Sequence, residues 1–328
     1  MDPSSPDSTS PHAIWFDDYR QLTAGCGLVD LSSRSRVELT GKDRVQFLNG
    51  FCTNDIKRLK EGEGCEAFLT NHQGKAVGYV YVRILPAAIV MDAAPGQAER
   101  MIEHLNRFVI SDRVDFRDLT STTYELLIAG KNAPQVLSKL NIDSPAISSN
   151  YQFQLVTIAG KEACLQRTDY AGENSFFLTF STDDDAIIEA LCNAGGFAGD
   201  SRAAEATRIE AGVPLFGVDI TEDNLPQEID RNKQAISFTK GCYLGQETVA
   251  RIDALGHVNR LLARVKFASE EIPAPGTELF AADKSVGRVT SACWSPLYGS
   301  PLAFVLLRRA QAAPRTKLTS NIGPAEVC

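Results

Sequence analysis

Twelve consecutive residues bring together a lysine, a thiol, an amide, a carboxylate and a guanidinium: Lys240-Gly241-Cys242-Tyr243-Leu244-Gly245-Gln246-Glu247-Thr248-Val249-Ala250-Arg251. Cys242 stands two positions after Lys240, and a nearby ammonium favours thiolate over thiol. Gly241 and Gly245 let the backbone bend and let a ligand come close. Gln246, Glu247 and Arg251 add hydrogen-bonding forks. The set has the makings of a reactive site. The same letters also describe a small buried cysteine beside a solvated lysine.

Other stretches carry polar groups at turns. Arg167-Thr168-Asp169-Tyr170-Ala171-Gly172-Glu173 ends in a carboxylate that can accept two parallel hydrogen bonds from one ligand edge. A solvated turn glutamate is the alternative. Arg208, near the end of a helix that spacing predicts from Ala203, can fork onto a ligand carboxylate or brace an internal acid. Thr53-Asn54-Asp55 is either a site-lining turn or a helix stop with an Asx turn. Ser237-Phe238-Thr239-Lys240 fits an S-x-x-K acylation pattern, but the companion S-D-N, K-T-G and G-x-S-x-G elements are missing from the sequence.

Lys240 to Arg251 resembles the K-G-C-(F/Y)-x-G-Q-E-x-x-(A/S)-R signature of the YgfZ family, folate-binding relatives of the glycine-cleavage aminomethyltransferase (GcvT, the T-protein) that support iron–sulfur proteins. Arg208-Ile209-Glu210-Ala211-Gly212-Val213-Pro214, continuing to Asp219-Ile220 and Leu225-Pro226-Gln227-Glu228, is similar to a second run of that family. Arg167 to Glu173 is similar to the R-T-G-Y-T-G-E turn of the T-protein, where the glutamate grips the pterin. The resemblance therefore implies a tetrahydrofolate pocket held by Glu173, Tyr170, Arg208, Asn54, Gln246, Glu247 and Arg251, with Cys242 and Lys240 as the reactive pair. It also implies iron–sulfur client or assembly proteins as partners.

One departure matters. Gly74-Lys75-Ala76-Val77-Gly78-Tyr79 stands where the T-protein has G-G-I-x-D-D, whose aspartate orients the amine in methylene transfer, and both aspartates are missing. A proton-handling carboxylate is thus lost at that point. Two functions stay open. One is a tetrahydrofolate-binding accessory protein for iron–sulfur assembly or repair. The other is a folate-dependent one-carbon transferase, with Glu247 or Asp219 taking the missing role. Whether the chain is an enzyme is open with them.

These residues need a scaffold, and 328 residues suffice for two or three domains with a large core. The formal net charge of −8 argues against a general nucleic-acid binder. The eight cysteines are scattered, the nearest pair being Cys52 and Cys65, so common zinc and cluster spacings are missing and no metal site is expected. Free thiols fit a reducing compartment, and a cytoplasmic monomer without membrane spans is the simplest expectation.

Short β-rich runs followed by helical spacing occur three times: 87–93 with 96–108, 124–129 with 133–140, and 176–180 with 186–194. A further strand is expected at 78–84. Beyond Arg260, short strands at 261–267, 278–281, 287–291 and 302–307 alternate with turns and predict a small β-barrel. The expected fold class is α+β: by resemblance, a GcvT-like three-domain cloverleaf of two intertwined α+β subdomains plus a C-terminal β-barrel. The expected boundaries are a disordered tail at 1–12, the folate-binding core at 13–258 and the barrel at 259–328.

Overall fold

The computed structural model describes residues 15–181 and 185–328; the tail expected at 1–12 lies outside them. The chain makes one strand, β1 (Gly27–Asp30), and then leaves to build a separate sheet. That sheet takes β2 (Arg34–Thr40), β3 (Gly64–Thr70), β4 (Ala76–Ile84), β5 (Ala88–Pro95) and β6 (Asp115–Asp118) in the order β3-β4-β5-β2-β6. The chain then returns to the first sheet. β7 (Thr123–Ala129), β8 (Phe153–Ile158), β9 (Lys161–Thr168), β10 (Ser175–Ser181) and β11 (Phe197–Ala198) complete it in the order β11-β1-β7-β10-β9-β8. One α+β unit is thus inserted into the other, which is the expected intertwining.

Each sheet buries both faces. In β4, Val80, Val82 and Ile84 join an outer core that includes Met101 and Leu105 of α3 (Ala98–Asn106) and Phe47 and Leu48 of α2 (Arg44–Asn49). The first sheet does the same with Leu126, Ile128, Phe176 and Leu178, against α4 (Ala133–Lys139) and α5 (Asp185–Asn193). Period-2 alternation sends the intervening residues to the opposite face. There Tyr79 and Tyr81 of β4 meet Leu127 of β7 and Phe177 of β10 in one core that also takes residues from the barrel. Burying one such large side chain is worth about 1.5–3 kcal/mol relative to exposure.

That shared core also holds α1 (Phe16–Thr23) and α6 (Ser201–Ala211), which pack on one another. Helix α6 starts on the Asp200 cap and stops at Gly212, whose φ of 77° suits glycine. Two further helices, α7 (Asn232–Ala235) and α8 (Gln246–Leu255), flank the K-G-C loop. The 10-residue α8 was not anticipated; its glycine caps, Gly245 and Gly256, both adopt left-handed φ.

The barrel is closed by six strands in the order β12-β15-β14-β13-β16-β17. They are β12 (Arg260–Phe267), β13 (Glu278–Ala281), β14 (Lys284–Ser295), β15 (Ser300–Arg308), β16 (Lys317–Ser320) and β17 (Gly323–Val327). The sequence predicts only four of these. β16 and β17 are short and carry Lys, Ser, Gly and Pro, so local pattern hides them. β14 extends beyond the expected 287–291 at both ends, and its pairing with β15 shifts register between Val289 and Ser291.

Candidate functional site

The K-G-C loop is fastened to the Thr53-Asn54-Asp55 turn. Lys240 Nζ donates to the backbone oxygens of Asn49 (2.7 Å), Cys52 (2.7 Å) and Asn54 (2.6 Å). Ser237 N donates to Thr53 O at 2.9 Å and Leu244 N to Gly50 O at 2.9 Å. Thr53 Oγ1 donates to Ala235 O at 2.6 Å, and Asn54 Nδ2 donates to Glu66 O and Gln234 O at 2.8 Å each. Asn54 and Lys240 therefore hold the backbone, and Lys240 is not the free ammonium beside Cys242 that spacing suggests. Burial lowers the pKa of Lys240, as expected for a cation taken out of water.

Cys242 is exposed. It lies at a cavity of about 490 Å³ that Lys57, Arg58 and Asp55 also line. Asp55 is paired with Arg58 at 3.0 Å. The turn after Asn54, far away in sequence, thus adds two cations to the wall of the cavity that Cys242 lines. Its two glycines differ in role. A Cβ at Gly241 meets nothing within 4 Å, whereas at Gly245 (φ 81°) it would lie 2.3 Å from Asn71 O and 2.7 Å from Gly74 Cα. The Gln73-Gly74-Lys75 turn and the K-G-C loop therefore touch backbone to backbone. Gln246 accepts from Tyr243 N at 3.2 Å, while Glu247 and Arg251 are exposed on α8.

Arg208 is fully buried and is a brace. Its Nη1 donates to Asp219 at 3.0 Å and to Val213 O at 2.6 Å, and its Nη2 to Ser291 of the barrel at 3.3 Å. Asp219 in turn accepts from Thr290 at 2.7 Å and Ser291 at 2.6 Å. The Arg208 fork is thus engaged by protein groups, Glu205 included, and Asp219 is held by Arg208, Thr290 and Ser291. Tyr170 is core: only 5% exposed, it packs edge-on against Phe177 at 5.4 Å. Glu173 is exposed, and its backbone oxygen accepts from Arg167 at 2.8 Å.

The polar cluster that sequence reasoning missed lies at the junction of the units. Glu66, wholly buried, accepts from Tyr79 Oη, Tyr151 Oη and Arg231, whose Nε is 3.0 Å away. Arg231 also meets Asp169 at 2.8 Å, so the Asp169 that departs from the family turn has a partner. Burial, and next the Glu66 charge, push the Tyr79 and Tyr151 hydroxyls well above their ordinary pKa. Beside them, the Tyr81 ring stacks on Tyr151 at 5.4 Å, and the Arg34 guanidinium lies 5.3 Å from Tyr81 and 4.9 Å from Phe177. Tyr81 Oη and Arg34 Nη2 are buried with no hydrogen-bond partner among the described residues. These side chains are packed in the core shared by the two sheets and the barrel. The available signal was Tyr79-x-Tyr81-x-Arg83 in β4, a polar face on a strand whose other face is valine.

The chain matches the GCVT N-terminal domain over residues 6–240 and the glycine cleavage T-protein C-terminal barrel domain over residues 260–328. The chain belongs to the glycine cleavage T-protein (GCVT) family. Among its relatives is an aminomethyltransferase of Thermus thermophilus, 27% identical over 301 residues, which cover 91% of this chain and 84% of that protein. Another, from Thermotoga petrophila, is 25% identical over 90% of this chain and 82% of its own length. A chloroplastic protein of Arabidopsis thaliana described as a transferase is 27% identical over 273 residues; this chain spans 62% of its length. The crystal structure of the glycine cleavage system aminomethyltransferase T of Bartonella henselae superposes with a TM-score of 0.86 over 97% of this chain and 89% of that one, at 20% identity, which establishes the common fold. Among the described residues, no helix is long and apolar enough to cross a membrane.

Proposed function

We propose that this protein is a folate-dependent one-carbon transferase of the aminomethyltransferase kind, binding tetrahydrofolate where its three units meet. The observation that carries this reading is the pair of unpartnered buried donors, Tyr81 Oη and Arg34 Nη2, set among the rings of Tyr151, Tyr170 and Phe177. A pterin is flat, stacks on aromatic faces, and presents polar atoms along its edge. The donor set therefore fits the group. Tyr81 and Arg34 would hold its acceptor edge, and Asp169 or Glu173 would take its amine side. Entry requires the junction rings to move, because Tyr81, Tyr151 and Tyr170 are buried.

When bound, tetrahydrofolate supplies the nitrogens that carry the one-carbon unit. The chain's own part is orientation and proton custody. Tyr79 stands in place of the T-protein aspartate and keeps its proton at Oη, hydrogen-bonded to Glu66. Arg231 neutralises Glu66, and no free carboxylate is left there. Supporting this reading, both halves of the chain match the family, and its aminomethyltransferase relatives align along most of their length.

The test is calorimetry with tetrahydrofolate for wild type, Tyr81→Phe and Glu173→Ala, followed by an assay for methylene-tetrahydrofolate from methylated or glycine-derived amines. Binding weakened in either variant, with product formed, supports the transferase. Lack of binding under reducing conditions removes the folate.

A second reading, an accessory protein for iron–sulfur enzymes as in the YgfZ branch, is favoured by Cys242: an exposed thiol on a cavity that Lys57 and Arg58 also line, in a chain lacking the T-protein aspartates. Under it, folate binds without turnover. Cys242→Ala then leaves folate affinity intact while cells relying on the variant lose iron–sulfur enzyme activity. Full activity in those cells would sink this second reading.

A further inference from the structure

A small cavity of about 100 Å³ lies at the C-terminal end of α8, where the core passes into the barrel. Gln227, which is 5% exposed, lines it. Gln227 Nε2 donates to Val249 O at 2.7 Å, which fixes the orientation of the amide and leaves Oε1 as an acceptor with no partner among the described residues. Asn232 Oδ1, in α7, is a second unpartnered buried acceptor on the same cavity. Asp253 adds a carboxylate.

The backbone adds to this bias. Helix α8 ends here, and its last carbonyls carry the negative end of the helix dipole. Gly256 N caps only two of them, Ile252 O and Asp253 O, at 3.0 Å each. His257 Nδ1 lies 3.0 Å from Leu255 O, which ties the ring to the end of the helix. The one cation among the lining residues, Arg309, is exposed.

Two buried acceptors without partners, with the Asp253 carboxylate beside them, outweigh the donors of the wall, Asn232 Nδ2 and the exposed Arg309, and select a cation. The volume holds about three waters, at roughly 30 Å³ each, or one small ion with part of its hydration. The ligand set excludes the commoner metals. Zinc, iron and copper want several His or Cys ligands, and calcium wants several carboxylates. No group of three or more His, Cys, Asp or Glu able to hold a metal occurs among the described residues. Neutral amide and carbonyl oxygens with a single carboxylate suit a singly charged ion.

We infer that this cavity binds one small monovalent cation, potassium or ammonium, and that the ion ties the end of α8 to the Gln227 turn and the barrel entrance. Because α8 begins at the K-G-C loop, occupancy also stiffens the segment that carries Gln246 and Glu247. The inference does not depend on the folate reading.

The experiment measures thermal unfolding of the full chain in potassium, ammonium, sodium and tetramethylammonium chloride at one ionic strength. The expected result is a midpoint about 2 °C higher in potassium or ammonium than in tetramethylammonium. A response to ammonium alone assigns the ammonium ion, and a response to potassium assigns the metal ion. Asn232→Ala should erase the difference, and Asn232→Asp, which adds charge and keeps the acceptor, should enlarge it. Equal midpoints in all four salts for the wild type would overturn the inference, as would an undiminished response in a folded Asn232→Ala protein. The wild-type comparison decides even if a variant fails to fold.

Discussion

Lys240 Nζ ends on the backbone oxygen of Asn54, 2.6 Å away, and so closes the Thr53-Asn54-Asp55 turn against the K-G-C loop. The lysine and the thiol of that loop thus work in different directions. Lys240 faces inward onto three carbonyls, and Cys242 faces the cavity that Lys57 and Arg58 line.

Replacing Lys240 with methionine leaves those three oxygens without their shared donor. A buried unsatisfied group costs about 1–3 kcal/mol, so denaturant unfolding should show a loss of about 3 kcal/mol. A change under about 0.5 kcal/mol would mean that water replaces the ammonium, and the bracing role would fall.

The two glycines of the loop should respond oppositely. Gly245→Ala forces a Cβ into the Asn71 and Gly74 backbone at a left-handed φ, and should cost more than about 1 kcal/mol while loosening the cavity around Cys242. Gly241→Ala meets open space and should leave stability within about 0.5 kcal/mol. Urea unfolding combined with the alkylation rate of Cys242 reads both effects, and equal costs for the two variants would contradict the backbone contact.

Tyr81→Phe removes a buried hydroxyl that has no partner among the described residues. Removing an unpaired polar atom should leave the midpoint unchanged or raise it, since nothing bonded is lost. Tetrahydrofolate affinity should drop about fivefold to tenfold, the worth of one hydrogen bond of about 1–1.4 kcal/mol. A destabilised variant would show that the hydroxyl is already satisfied in the folded protein.

Glu210 gives a pH signature. Its carboxylate accepts from Tyr19 Oη at 2.8 Å, from Leu297 N at 3.2 Å and from Ser295 Oγ. Burial nevertheless pushes its carboxyl above the ordinary 4.5. The folded state therefore keeps this proton to higher pH than the unfolded chain does. Stability falls as pH rises from 4.5 through the raised folded value, and the cost is absent below 4.5. Glu210→Gln should remove this slope, so its thermal midpoint relative to wild type should be higher near pH 7 than near pH 4. An equal difference at both pH values would show that Glu210 carries no such cost.

The sequence by itself determined the α+β class, many of the elements and the kinship with the glycine cleavage T-protein. The β-rich runs at 78–84 and 124–129, helical spacing after 96 and after 186, and the turn-rich run beyond Arg260 are local patterns, and each appears in the fold because local residue type and hydrophobic period dictate the element. The K-G-C and R-T-D-Y-A-G-E stretches were legible as motifs for the same reason: their letters are contiguous. Only the tertiary structure decided what those letters do. Arg208 finds Asp219 and Ser291, Lys240 finds the carbonyls of residues 49–54, and Glu66 collects Tyr79, Tyr151 and Arg231 from three distant segments. A charged side chain takes whichever partner the fold delivers once it leaves water, and sequence spacing does not record that delivery. The inserted order of the two sheets makes those deliveries, by bringing β3 and β4 against the turn after β9 and the loop that carries Arg231.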